Sequence, residues 1–393
     1  MPSMTRSSSE RPSDRPAGAR RRPSGRGRRA ARVLVVLAAL LVSGCGLRLE
    51  TPAPTVPAAG PVERARAVAV ADAQAVRSLA DAARTGADAG VTAVLARTAD
   101  DAASHLTALG GVYVSGLVGP TTAAAPPPTP TPTSPVTPVQ RDTRAVVDLL
   151  VSAADRSRAA AVSVPDGPLA RLLASITVSR LQDARALVAA AGLPADGTTE
   201  APTPSTDIPS GASLPTAEVT QIVLIEDQAG FAEEVAAAWL DATARATVLA
   251  RAERHRERAR EWAVQASIDS TSRDPRRAAY ALPFDPHDAG TAGALVATVE
   301  TALASAYLTA VASSDPTPAQ PTVPTTSTTV TTPPGPAPSA TSTAPRTPAT
   351  TPAAGARGLL ITFADDAWAT ASTWGAAPSA LPTVTPAARR PPA

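Results

Sequence analysis

Leu295-Val-Ala-Thr-Val-Glu300-Thr-Ala-Leu-Ala-Ser-Ala-Tyr307 is the stretch on which the reading of the fold turns. Val296, Glu300, Leu303 and Tyr307 recur at three- and four-residue steps, so a helix lines them up on one face and sets a carboxylate inside the apolar stripe. The same happens twice upstream. In Ile222-Val-Leu-Ile-Glu226 the acid shares its face with Val219, Ile222 and Val223, and His255 lies on a stripe between Val248 and Trp262. Three helices that each bury a titratable residue belong in a bundle whose faces close on one another.

Working outward, helical pattern runs from Leu214-Pro215 to about Trp239. It breaks near Asp241, continues to about Ile268, turns at Asp274-Pro275 and resumes from Asp288 to Ser313. A last helix is expected from Arg357 to Trp374, with Leu359, Leu360, Phe363, Ala367 and Trp368. Between the third and fourth helices lies a Thr/Pro tract, 315–354, read as a disordered insertion. Loop-closure cost grows slowly with length, so a bundle tolerates it. The N-terminal half offers four Ala-rich helices, Pro61 to the Gly86 stop, Asp88 to Leu109, Arg141 to Val162 and Pro168 to Ala191. Their apolar faces make them a second bundle or a pair of hairpins.

The organisation is therefore an export signal over 1–44, a tether over 45–60, and an N-terminal helical region over 61–193 with a Pro/Thr loop at 120–139. A linker at 194–213, the C-terminal bundle at 214–376 and a frayed tail at 377–393 follow. The expected class is all-α. The chain has 42 Pro, gathered in these tracts, and aromatic residues make up only 3%, so its cores must be built from Ala, Val and Leu.

The first 32 residues carry ten Arg against Glu10 and Asp14, and an apolar run from Val33 to Val42 leads into Val42-Ser-Gly-Cys45. A run this short does not span a bilayer, which takes about 20 residues. It resembles a bacterial lipoprotein signal whose Cys45 is lipidated and becomes the mature N-terminus. Cys45 is the only Cys, so no intrachain disulfide forms. The whole chain is +2, and losing the signal leaves the remainder near −6, which argues against nucleic acid as a partner. The expected partners are the membrane, through lipidated Cys45, and an envelope protein or lipid, on the extracytoplasmic face of the cell membrane. The Thr-rich tracts are candidates for O-glycosylation.

The C-terminal body resembles the actinobacterial ferritin-like domain of unknown function found in exported proteins and lipoproteins. The residues that carry the likeness are Glu226, His255 in His-Arg-Glu-Arg-Ala-Arg260, the connector Ala279-Tyr-Ala-Leu-Pro-Phe284, Glu300, Asp366-Ala367 and Trp374. The resemblance implies a ferritin-like four-helix bundle over roughly 215–375 and no established activity.

A di-iron carboxylate bundle draws one Glu from each of two helices and a Glu-x-x-His pair from each of the other two. Ala252 stands three residues before His255, and the last helix holds no His, so about half of that ligand set is missing. The expectation adopted is that Glu226, His255 and Glu300 satisfy one another together with Arg245, Arg251 or Arg258, since a lone buried carboxylate is costly. The alternative is a metal-binding or redox domain in which Glu226, His255 and Glu300 hold one metal ion. Glu233-Glu234 and the run Arg251 to Glu261 are read as solvated faces with i, i+4 pairs, His105 as a capping or surface residue, and His287 as a turn residue. There is no glycine-rich phosphate loop, no free Cys nucleophile and no triad, so neither catalytic residues nor a cofactor are expected. The function expected is a membrane-anchored, non-catalytic structural or binding module of the cell envelope.

Overall fold

The computed structural model describes residues 58–113, 143–317 apart from 196, 198, 203, 204, 211 and 213, and 355–382. The expected export signal with Cys45, the Pro/Thr loop at 120–139, nearly all of the expected tether and insertion, and the end of the tail lie outside the described residues. Among those described are eight helices and no strand. They are α1 (Pro61–Ala83), α2 (Ala89–Ala108), α3 (Thr143–Ser163), α4 (Gly167–Ala191), α5 (Thr216–Ala237), α6 (Ala242–Gln265), α7 (Ala289–Ala310) and α8 (Ala356–Thr373).

Local chemistry sets the boundaries. The Asp166 carboxylate accepts from the Leu169 amide at 2.7 Å and starts α4, which ends on Gly192 in the left-handed region, where the Leu193 amide bonds Val188 O. The Asp241 carboxylate accepts from the Ala244 amide at 2.9 Å, which is why α5 stops and α6 begins there. Asp288 and Thr291 cap the start of α7 reciprocally.

Helices α1 to α4 pack as a four-helix bundle, α1 against α2 and α3, and α4 against α2 and α3. Helices α5 to α8 form the second. There the hairpins α5–α6 and α7–α8 are joined by the long crossover 266–288, the connectivity of a ferritin-like bundle. Helix α5 packs on α6 and α7, and α7 packs on α8, but no Cα atoms of α6 and α8 come within 8 Å. Long side chains fill that gap. Helix α7 is long and apolar enough to cross a membrane by length and composition, but it is a core helix here, with Leu295, Leu303 and Tyr307 buried.

The two bundles share one core. Leu173 and Ile176 of α4 belong to the same apolar cluster as Leu360 and Phe363 of α8. Arg185 grips Asp365 with two bonds of 2.7 Å, Arg158 donates to Gly358 O and Thr362 Oγ1, and Arg357 donates to Ala161 O and Val164 O. The segment after α4 also lies against the second bundle, since Arg258 Nε donates to Ser205 O and Gln265 to Pro209 O.

At the first residue of α4, a Cβ on Gly167 would collide with the carbonyl oxygen of Ala312, just beyond α7. Backbone cannot swing aside as a flexible side chain can. Gly167→Ala is therefore expected to lower stability by about 1–3 kcal/mol in urea unfolding, despite the better helix propensity of Ala. An unchanged midpoint would mean that these two segments do not touch in solution.

Candidate functional site

The centre of the second bundle is built by periodicity. Val219, Ile222, Val223, Glu226, Ala229 and Glu233 fall on one stripe of α5, all buried. Val248, Arg251, His255, Arg258 and Trp262 do the same on α6, Glu300 and Tyr307 on α7, and Asp366 on α8. Helix α6 can come close to α5 because Gly230 has no side chain; a Cβ there would stand 3.0 Å from Ala252 O and 3.5 Å from His255 Cβ.

His255 sits in the middle and is completely buried. Its Nδ1 is 2.5 Å from Glu226 Oε2, and the other oxygen of Glu226 accepts a hydrogen bond from the Tyr307 hydroxyl. Its Nε2 points the other way, 3.4 Å from Glu300 Oε1 and 3.7 Å from Glu233 Oε2. Glu300 is held by both arms of Arg251, with Nε to Oε1 at 2.5 Å and Nη2 to Oε2 at 2.9 Å. The free Nη1 of Arg251 reaches across the gap between α6 and α8 to Asp366 at 2.7 Å, and Arg258 joins the same oxygen at 2.8 Å while its guanidinium lies 4.2 Å from the centre of the Phe363 ring. The forked guanidinium of arginine, with five N–H donors on a long stem, suits it to serve two carboxylates on separate helices.

Protonation follows from this arrangement. Burial disfavours a charged His255, but the carboxylates of Glu233, Glu226 and Glu300 outweigh it and raise its pKa well above the ordinary value. Burial would also raise Glu300, but Arg251 and His255 overcome it and hold Glu300 down at about 2. Glu233 has no guanidinium bound to it, so burial wins and pushes it up to about 7.

Glu233 is the residue that reading the sequence placed wrongly. It is buried, not part of a solvated face, and neither oxygen takes part in a hydrogen bond. Only its neighbour Glu234 behaves as expected, pairing at the surface with Arg256 at 2.6 Å. The available signal was spacing, because Glu233 follows Glu226 by two helical turns. It also lines a cavity of about 180 Å³ with Val248, Arg251, Arg254, Val296 and Trp374.

Other expectations divide in the same way. Glu226, His255 and Glu300 do converge, but on opposite nitrogens of one imidazole. Arg251 reaches Glu300, whereas Arg245 bonds Ala237 O and Leu240 O at the end of α5, outside the centre. The run Arg251 to Glu261 is not one solvated face. Arg251, His255 and Arg258 point inward, and Arg260 with Glu257 stays outside. Tyr280 of the connector donates to Asp227 Oδ2 at 2.5 Å and meets Phe231 edge-on, which pins the crossover to α5. His287 is exposed beside the α7 cap.

His105 is neither a cap nor a surface group. It is 2% exposed and its Nε2 donates to Ala380 O at 2.8 Å, because the segment after α8 returns to cover it. The first bundle also holds charges that were not foreseen. Asp72 pairs with Arg156 at 2.7 Å, and buried Asp183 pairs with Arg97 at 3.0 Å.

An all-helical four-helix bundle whose core is a charged network of Glu, His, Arg and Asp is the class that fold and centre define. Within it, residues 219–330 match the family model described as a domain of unknown function, DUF4439. The matched span carries Glu226, Glu233, His255 and Glu300 and ends before α8, which supplies Asp366. No curated protein and no solved structure matches the chain.

Proposed function

We propose that this chain is an exported lipoprotein, tethered through Cys45 to the extracytoplasmic face of the cell membrane. Its helical body serves as a non-catalytic structural or binding module toward an envelope protein or lipid. What supports the tether is the order of an Arg-rich start, a short apolar run and Val42-Ser-Gly-Cys45. What supports a structural core is one observation. Arg251 and Arg258 bind carboxylates of α7 and α8 and thereby close the bundle where its backbones stay apart. Charges used to hold helices together are not poised on a substrate.

The tether is tested by expressing the chain with its signal in a bacterium fed a labelled fatty acid. Label and membrane association are expected in the parent, and both are expected to vanish in Cys45→Ala. An unlabelled parent, or a Cys45→Ala chain that stays on the membrane, overturns the reading.

A second reading is metal binding at this centre, expected from the sequence through Glu226, His255 and Glu300; Glu226 lies on Nδ1, and on the Nε2 side Glu300 stands at 3.4 Å and Glu233 at 3.7 Å, which favours Glu233 in the place of Glu226.

A further inference from the structure

We infer that the second bundle binds one divalent transition-metal ion through His255 Nε2, Glu233 and Glu300, with Glu226 acting as the positioning residue behind the histidine. The ligating atoms of the three side chains lie within 4.8 Å of one another, and all three residues are buried. Around a metal with bonds of about 2.0–2.2 Å, tetrahedrally placed donors stand about 3.4 Å apart. Nε2 is already 3.4 Å from Glu300 Oε1 and 3.7 Å from Glu233 Oε2, so only a small inward movement of Glu233 closes the set. Glu233 is free to make it, since neither of its oxygens takes part in a hydrogen bond.

That buried carboxylate, with no hydrogen bond and only the His255 ring 3.7 Å away, is the observation that points to a ligand. A buried polar group without a partner is costly, and every other acid in the centre has one. The charges agree. Glu226, Glu233, Glu300 and Asp366 face Arg251, Arg258 and one imidazole, so with a neutral histidine a dication balances the centre. Arg251 does not block the site, because a carboxylate oxygen that accepts a hydrogen bond keeps a further lone pair. Glu226 on Nδ1 completes a carboxylate–histidine–metal relay and fixes which nitrogen faces the metal. The cavity lined by Glu233 and Arg251 gives the route of entry and space for a water in the open position. One imidazole with two carboxylates suits Zn²⁺, Fe²⁺ or Mn²⁺ better than Ca²⁺, which takes six to eight oxygens.

The test uses the full chain in detergent, titrated with Zn²⁺ by calorimetry and with Co²⁺ by its visible absorption. One equivalent is expected to bind. Glu233→Gln is expected to weaken binding at least tenfold, and Glu226→Gln by about 10- to 100-fold with an altered Co²⁺ band. Glu234→Gln and His287→Ala should leave both signals unchanged. Melts without metal should show Glu233→Gln as stable as the parent or more so, because neither Glu233 oxygen has a hydrogen bond to lose. The proposal falls if neither ion binds saturably, if binding survives Glu233→Gln, or if His287→Ala abolishes it. A Glu233→Gln chain that fails to fold would show the carboxylate to be structural and would sink it equally. None of these results bears on Cys45, and a failed tether would leave the metal site standing.

Discussion

Arg251→Ala is expected to lower the unfolding free energy by about 3–5 kcal/mol, the largest effect of any single substitution in the second bundle. Three hydrogen bonds leave with that side chain, two from Glu300 and one from Asp366. Both carboxylates stay buried when it goes. Glu300 is fully enclosed and keeps only the more distant His255. The cost is therefore mainly that of a stranded charge rather than of a lost attraction. Arg251→Met with Glu300→Leu should recover most of the loss, because well-packed apolar groups replace a buried ion pair at little cost. Urea unfolding of the full chain at neutral pH measures both. A loss below about 1.5 kcal/mol for Arg251→Ala would mean that water reaches Glu300 through the neighbouring cavity, and the centre would then be a wet cleft rather than a closed network.

Acid should weaken the first bundle through His105. Burial, and then the charge of Arg180, pull its pKa down from 6.5 to about 3 against the opposing bond to Ala380 O. The folded chain thus keeps the ring neutral while the unfolded chain takes up a proton near 6.5. The contribution is fully present above about pH 6.5 and is lost as pH falls toward 3, for a total on the order of 5 kcal/mol and roughly 2–3 kcal/mol by pH 4.5. Two carboxylates work in the opposite direction. Burial raises Asp183 to about 7 and Asp101 to about 6, so both favour the folded chain as it acidifies. The clean measurement is therefore a difference between two chains. Stability of the parent minus that of His105→Gln should shrink between pH 7 and pH 4.5 by the amount given. If the two lose stability in parallel, the segment ending at Ala380 lifts off and lets water reach the ring.

Much of the architecture is legible in the order of residues. Asp241 and Asp288 mark helix starts because a carboxylate at that position satisfies a free amide, and Gly192 marks a stop because it enters the left-handed region without a Cβ clash. Steps of three and four place Glu226, His255 and Glu300 on inward faces, and all three are there. The same rule applies to Glu233 and was masked by its neighbour, since Glu233-Glu234 looks like a charged surface until the face is followed through seven residues. His105 was hidden for another reason. Nothing near it in the chain is its partner, because Ala380 arrives from beyond the last helix.

The sequence by itself determines the all-α class, about where the helices begin and end, and that Glu226, His255 and Glu300 are turned inward. It does so because propensity, capping and periodicity are local. Only the tertiary structure decides which of those groups meet. Arg251 lies 49 residues from Glu300 and 115 from Asp366, and no spacing rule links them. It decides as well that one imidazole holds Glu226 closely on one nitrogen and faces Glu300 and Glu233 at longer distances on the other, and that the two bundles share a core. Those outcomes depend on how the helix axes pack, and so on side chains along whole faces at once.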